Sequence, residues 1–230
     1  MSTRLFRILV ALCGLLGVIA LMVSFSINPA PPAGASIRQI VVWGRAHENL
    51  ILAGSWLQGF GSLLEMIFII ALVHLANATQ RLRGLITIAA AIIIASVSLV
   101  EVSFYISAIE GGVGGDLEAL AVSLNLIKAI QHAYVIAPAP ALLLSLGLVM
   151  YISRRFSHVF SYLALLLGVT MSILGLIGTF IPLQTVIDSV LSAQEVWFAA
   201  VAVALIVGAR KTSTTQPSRE QSQLTAQVLS

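Results

Sequence analysis

The amino-acid sequence predicts an all-α protein, a helical bundle that crosses a membrane about six times, with both termini in the cytoplasm. Three observations lead to this fold class. Of the 230 residues, 59% are hydrophobic and only 9% are charged, whereas a soluble domain has about 25% charged residues. The chain also contains six long apolar segments, and its basic residues are concentrated in alternate connections between them. We therefore expect the lipid bilayer to be the main partner of this chain.

The spans follow from the length of the apolar segments, because a membrane-crossing helix needs about 20 predominantly apolar residues. Most charged and turn-forming residues lie in the connections between these segments. The predicted spans are residues 8–27, 50–76, 84–108, 120–152, 158–182 and 190–209. Residues 210–230 are polar and rich in Ser, Thr and Gln, which predicts a disordered cytoplasmic tail.

The positions of the basic residues predict the orientation, because cytoplasmic connections are enriched in Lys and Arg. With the N-terminus inside, nine basic residues fall on the inner side, and only Arg38 and Arg45 fall on the outer side. We therefore expect a multi-pass protein of a bacterial-type plasma membrane. The net charge of +3 is spread over scattered residues and does not indicate a nucleic-acid partner.

The first span has an alternative interpretation as a cleaved signal peptide. Ala33, Gly34 and Ala35 form an A-x-A pattern after a basic start and an apolar run, as signal peptidase sites do. The apolar run of residues 8–27 is longer than the about 7–15 residues of a signal sequence. This length favours a retained span, and cleavage would leave five spans.

Two further segments carry specific structural expectations. The apolar residues of segment 36–49, in the first outer connection, share one helical face, which predicts a short helix on the membrane surface, with an irregular loop as the alternative. In the fourth span, Pro138 and Pro140 each lack a backbone N–H, so they predict a kink or a break in that helix.

Charged residues inside the spans are the main functional signal, because a charge at the bilayer centre costs about 2.5–3.5 kcal/mol. Glu65 is predicted near the midplane from either end of its span. Glu101 and Glu195 are each expected about one turn from the outer edge. Lys128 and His132 are predicted to lie closer to the outer interface than to the centre, with the proline kink drawing them inward as the alternative.

Polar residues at helical spacing form three stripes, one on each of the second, third and fourth spans. They are Gln58, Ser62 and Glu65; Ser98, Glu101 and Tyr105; and Asn125, Lys128 and His132. If the stripes face one another, the bundle has a polar cavity that is open to the outside and narrows at Glu65. Glu195 on the last span is expected to line the same cavity.

Three functional hypotheses remain open at this stage. The leading one is a small transporter-like or channel-like protein, in which a small molecule, an ion or a proton reaches Glu65 through the cavity. The second is a structural or accessory protein whose polar residues only hold helices together. The third is a membrane-embedded enzyme that uses His132 and the outer glutamates.

Known catalytic and cofactor motifs are missing from the sequence. It has no HExxH, CxxC, phosphate-binding loop, GxSxG or EF-hand pattern. Its histidines and glutamates are expected at different depths, so we predict neither a metal site nor a cofactor. A shared site of His132, Glu101 and Glu195 near the outer face is a minor alternative.

The second half of the chain resembles a known family. The stretch APALLLSLGLVMYISRRFSHVFSYLALLLGVTMSILGLIG (139–178) joins an apolar span to a Leu/Gly-rich span through a short basic loop. This arrangement, together with the preceding His132 and Tyr134, resembles the bacterial six-span membrane family called domain of unknown function 4386. The resemblance covers about the last four spans. It implies a six-helix membrane protein without an established activity, so no catalytic residue is carried over.

Overall fold

The computed structural model describes residues 3–28, 34–153, 156–181 and 184–214. Within these residues the chain forms seven helices. They are α1 (Thr3–Ile27), α2 (Ile37–Leu75), α3 (Leu82–Gly114), α4 (Leu117–Ile136), α5 (Pro138–Ser153), α6 (His158–Gly178) and α7 (Gln184–Thr214). Six stretches are long and apolar enough to cross a membrane, with α4 and α5 together forming the fourth. The predicted all-helical fold is therefore confirmed, and the six apolar helical stretches are compatible with a multi-pass membrane protein.

Some predicted features fall partly or wholly outside these residues. The segment predicted as a disordered tail begins inside α7, which continues to Thr214, and residues 215–230 lie outside the described part of the chain. Ala33 of the possible cleavage site also lies outside it, as do the basic residues Arg154 and Arg155.

The first outer connection is more ordered than either sequence alternative. Segment 36–49 is neither a separate surface helix nor an irregular loop, because α2 begins at Ile37 and continues without interruption to Leu75. A capping box starts this helix. Ser36 Oγ accepts a hydrogen bond from the Gln39 backbone N–H (3.5 Å), and Gln39 Oε1 accepts one from the Ser36 N–H (2.8 Å). These bonds satisfy N–H groups that a helix start otherwise leaves unpaired, so the second span is extended well beyond its apolar part.

The proline pair breaks the fourth span, as predicted. The helix stops at Ile136, and Ala137 has φ −136° and ψ −55°. A new helix, α5, starts at Pro138. Steric contact with a proline ring disfavours the helical conformation for the residue before it, which accounts for the break at Ala137. Pro138 then occupies the first position of α5, where a missing N–H leaves no helical hydrogen bond unmade.

The spans are arranged as a ring. Each helix contacts its neighbours in the order α1, α2, α3, then α4 with α5, then α6 and α7, and α7 returns to α1. One end of the ring carries Ile27, the end of α1, and Leu117, the start of α4; we call it the cavity end. The opposite end carries Leu75, the end of α2, and His158, the start of α6; we call it the closed end.

The closed half of the ring is filled by an apolar core. Side chains from α1, α2, α3, α5, α6 and α7 meet there, among them Phe68, Leu72, Leu143, Met150 and Phe198, which are fully buried. The outer surface of the ring is also apolar, with exposed side chains that include Trp56, Leu166, Leu176 and Phe180. An apolar exterior of this extent is compatible with contact to lipid and not with a water-soluble surface.

Close approach of α1 and α2 fixes the position of α2 around Gly61 and Glu65. A Cβ atom at Gly17 would lie 3.0 Å from the backbone N of Glu65 and 3.1 Å from the carbonyl O of Gly61. Only glycine allows the two backbones to come this near, as small residues do generally at helix contacts in membranes. The backbone at Glu65 is therefore held directly against α1.

In the sequence, Trp43, Trp56 and Trp197 all fall near the predicted outer ends of their spans, as in an interfacial aromatic belt, but the structure places Trp197 elsewhere. Its side chain is 4% exposed and its Nε1 donates to the carbonyl O of Phe160, in the first turn of α6. That turn is at the closed end of the ring. The difference arises because α7 begins at Gln184, earlier than the predicted span, so its residues lie deeper than the sequence placed them.

Candidate functional site

A cavity of about 1430 Å³ occupies the half of the ring opposite the core. Its lining runs from residues near the cavity end, including Asn28, Val41 and Asp188, to Glu65, which lies ten residues before the last residue of α2. Helices α2, α3, α4 and α7 supply most of its polar side chains. The cavity therefore extends from one end of the bundle to its central region.

Nine of the ten candidate residues predicted from the sequence line this cavity. They are Gln58, Ser62, Glu65, Ser98, Glu101, Tyr105, Lys128, His132 and Glu195. The tenth, Asn125, has an exposed side chain and is outside the lining. Lys128 is on the same helix and is also exposed, but it does line the cavity.

Helices α2 and α3 are joined by polar contacts at two levels of the cavity wall. Gln58 Nε2 donates to Glu101 Oε2 at 2.7 Å, and Ser62 Oγ donates to Ser98 Oγ at 2.7 Å. The two helices are antiparallel, so residues of increasing number on α2 contact residues of decreasing number on α3. Glu65 is the next polar residue of the α2 stripe, about 10 Å along the axis from Gln58.

Glu101 is held by amide groups from two helices. Its Oε2 accepts from Gln58 of α2, and its Oε1 accepts from Gln131 Nε2 of α4 at 2.8 Å. Gln131 Nε2 also lies 3.5 Å from the Tyr105 hydroxyl, a long hydrogen bond. Both Glu101 oxygens are thus satisfied by neutral donors, and this carboxyl joins α2, α3 and α4.

Glu65 and Glu195 form a pair at the base of the cavity. They are 5% and 6% exposed, both line the cavity, and their carboxyl groups interact with each other across the ring. Among the described residues, Glu65 Oε1 and Glu195 Oε2 have no hydrogen-bond partner. An ionised carboxylate only accepts hydrogen bonds, so a bond between two carboxyl groups requires a proton on one of them.

The depth of Glu195 differs from the sequence expectation. It was expected about one turn inside its span, close to Glu101. In the structure α7 begins at Gln184, so Glu195 lies about three turns from that end and its partner is Glu65. The minor alternative of one site shared by His132, Glu101 and Glu195 is consequently not supported by this arrangement.

A second polar chain, which the sequence analysis missed, connects α4 with the carboxyl pair. Gln194 Nε2 donates to the Tyr134 hydroxyl at 3.0 Å and approaches Glu195 Oε1 at 3.4 Å. Gln194 is 1% exposed. The sequence feature that could have indicated Gln194 is its position beside Glu195 in an otherwise apolar segment. Gln131, also missed, follows Lys128 by three residues on α4 and so faces the same side.

The base of the cavity rests on two aromatic rings. Phe68 follows Glu65 by about one turn on α2, and Phe198 follows Glu195 by the same spacing on α7. Their ring centroids are 6.3 Å apart, with an edge-to-face angle of 73°, and neither side chain is exposed. The side chains of Phe68 and Phe198 separate the carboxyl pair from the closed end of the helical bundle.

Charge is unevenly distributed over the cavity. The base and the middle wall carry Glu65, Glu195 and Glu101, and the hydrogen bonds and charge interactions of these three side chains within the described chain involve no basic residue. Basic groups occur higher up, at Lys128 and at Arg45, whose Nη2 donates to the carbonyl O of Gly112 at 3.3 Å. The site is therefore acidic at its base, and a positively charged or hydrogen-bond-donating group would complement it.

Metal binding has no support from the described side chains, since none of them form a group of three or more His, Cys, Asp or Glu able to hold an ion. Comparisons with models of known protein families, with characterised protein sequences and with solved structures found no match to this chain.

Proposed function

We propose that this chain is a plasma-membrane transporter-like protein that admits a small solute or ion into its cavity from the outer side. The carrying observation is the Glu65–Glu195 pair, which is buried at the base of a cavity of about 1430 Å³. Ligand pockets of proteins have volumes of about 300–1,000 Å³, so this cavity has room for a small molecule with water.

The charge distribution supports the proposed orientation. Arg38 and Arg45 lie in the first three turns of α2, at the cavity end. The basic residues of the opposite end are more numerous, and those within the described chain include Arg4, Arg7, Arg81 and Arg83. By the excess of basic residues on cytoplasmic sides, the closed end faces the cytoplasm and the cavity end faces outward.

The aromatic layer below the carboxyl pair favours a transporter over an open channel. Phe68 and Phe198 are fully buried in the apolar core of the closed half. A continuous aqueous path has to cross this core, so a solute that reaches Glu65 passes further only when the helices rearrange. Alternation between two arrangements is the general mode of secondary transporters.

A purely structural protein is the second candidate, and the Glu101 contacts favour it. The hydrogen bonds of Glu101 with Gln58 and Gln131 link three helices and satisfy both oxygens of its carboxyl group. Polar side chains that serve only to join helices are expected to be satisfied in this way. The Glu65–Glu195 pair is not, since each of its members keeps one oxygen without a hydrogen-bond partner in the described part of the chain. The resemblance of residues 139–178 to the six-span family stays a prediction and adds no activity to either candidate.

Cysteine accessibility tests the outward-facing cavity. Ser62→Cys and Ser98→Cys, each in a Cys13→Ala background, are treated in intact cells with a positively charged, membrane-impermeant methanethiosulfonate. We expect both to be modified, because both serines line the cavity. Ser145→Cys is the matched control, since Ser145 is equally buried and bonds to Thr87 outside the cavity. Equal protection of all three cysteines from the reagent would overturn the proposal.

A further inference from the structure

We propose that the base of the cavity binds a hydrophobic amine, with its ammonium group between Glu65 and Glu195. This inference names a substrate class for the cavity and so rests on the proposed function. It begins from the two buried carboxyl groups that contact each other without any basic partner among the described residues.

Two carboxyl groups in one buried place need a positive charge between them. A shared proton meets this need, because two ionised carboxylates would repel each other and supply no donor. An ammonium group meets it as well and brings three N–H donors. Glu65 Oε1 and Glu195 Oε2 are the two oxygens available to accept them, and hydrogen bonds between ionised partners are the strong ones.

The geometry favours an amine over an inorganic cation. Calcium and magnesium require about six oxygen ligands around the ion. The base offers two carboxyl groups with Gln194 and Tyr134 close by, and Gln194 is already bonded to the Tyr134 hydroxyl. The hydroxyl groups of Ser62 and Ser192, one turn away on the same two helices, already donate to Ser98 and to the Asp188 carbonyl. A bare ion would therefore keep an incomplete shell, whereas an ammonium group needs only the few acceptors present.

The walls above the base favour an apolar body on the amine. Leu21, Ile51, Ile94, Ile127 and Leu191 line the cavity together with aromatic residues. Burial of apolar surface against such walls contributes about 25 cal/mol per Å². The lining therefore selects a lipophilic molecule with a single positive charge.

Binding of a fluorescent amine tests this inference on the full chain in lipid nanodiscs. The probe is dansylcadaverine, a primary amine on an apolar chain, and its neutral counterpart is the dansyl amide of pentylamine, which lacks the ammonium group. We expect saturable binding of the amine and at least about tenfold weaker binding of the neutral probe, since charge-assisted hydrogen bonds contribute about 1.5–3 kcal/mol. Equal affinity for the two probes overturns the inference without the need for any variant.

Two variants locate the site. Glu65→Gln and Glu195→Gln keep the size of the side chain and remove the charge, so each is expected to weaken amine binding at least about tenfold. Glu110→Gln is the matched control, because Glu110 is exposed on α3 outside the cavity lining. Unchanged affinity in both cavity variants, with their thermal unfolding also unchanged, contradicts the inference.

The outcome separates this inference from the proposed function. If Ser62→Cys is modified from outside but the amine binds no better than the neutral probe, the cavity stands and the ligand class is wrong. If Ser62→Cys is protected, the outward-facing cavity itself is wrong, and the amine site fails with it.

Discussion

Glu65 of α2 and Glu195 of α7 bring their carboxyl groups together at the base of the cavity, about one helical turn before the edge-to-face rings of Phe68 and Phe198. These four residues place the polar base of the cavity next to the apolar core of the bundle. Helices α2 and α7 are distant in sequence, and this is the level at which their functional side chains meet.

The first prediction concerns the proton shared by this pair. Glu65→Gln and Glu195→Gln each remove one of the two carboxyl groups, so the infrared difference spectrum between wild type and variant should contain the C=O band of a protonated carboxyl group. The band should shift when H₂O is replaced by D₂O, and addition of dansylcadaverine should remove it from the wild-type protein. Glu110→Gln is expected to leave it unchanged, and persistence of the full band in both pair variants would refute the shared proton.

The second prediction concerns the structural part of the polar network. Glu101→Ala removes the carboxylate acceptor of Gln58 and Gln131, so Gln58 Nε2 loses this hydrogen bond and Gln131 Nε2 keeps only its long contact with the Tyr105 hydroxyl. Each hydrogen bond between membrane helices contributes about 0.6–2 kcal/mol, so we expect a loss of about 1–3 kcal/mol in the free energy of unfolding, measured by reversible denaturation in mixed micelles. Ser103→Ala, which removes only a hydroxyl bonded within α3, is expected to have a small effect. A Glu101→Ala protein as stable as wild type would show that these contacts do not hold the helices.

The third prediction concerns the aromatic floor of the cavity. Phe68→Ala removes a ring that separates the carboxyl pair from the closed end, so proteoliposomes that contain this variant should become leaky to protons. A trapped pH-sensitive dye measures the leak after an external pH step. Phe60→Ala is the control, because Phe60 is on the same helix but is 45% exposed on the outer surface. A leak of equal size in both variants would mean that the change comes from disturbed lipid contacts and not from an opened floor.

The fourth prediction concerns the contact of α1 with the backbone at Glu65. Gly17→Ala places a Cβ atom 3.0 Å from the Glu65 N and should force α2 outward. Overpacking of this kind costs about 1–3 kcal/mol, and displacement of Glu65 from Glu195 should also weaken dansylcadaverine binding. Gly114→Ala has open space around its Cβ and serves as control in both assays. Unchanged stability and binding in Gly17→Ala would show that this close approach does not position the carboxyl pair.

Hydropathy and proline placement predicted much of the fold, for identifiable reasons. A helix that crosses a lipid bilayer needs a long apolar segment, so the six spans could be predicted from the hydropathy along the sequence. The break at Ala137 followed from the chemistry of Pro138. The start of α2 at Ile37 was not predicted, because a capping box extends a helix irrespective of hydropathy.

The candidate site was predicted in part. Helical spacing placed Gln58, Ser62 and Glu65 on one face, since that relation is local to a single helix. The contact between Glu65 and Glu195 depends on where α7 begins and on the closure of the ring from α7 to α1, which no local pattern encodes. Tyr134 and Gln194 were missed for the same reason, because their role depends on a contact between two helices.

The interruption at Ala137 has a mechanical consequence. Bending an intact helix breaks backbone hydrogen bonds, whereas at this junction the two prolines have already removed two N–H donors. The fourth span is therefore softest between α4, which carries Gln131 and Tyr134 along the cavity, and α5, which is embedded in the apolar core. We therefore expect any bending of the fourth span to occur at Ala137, so that α4 moves relative to α5 and changes the width of the cavity.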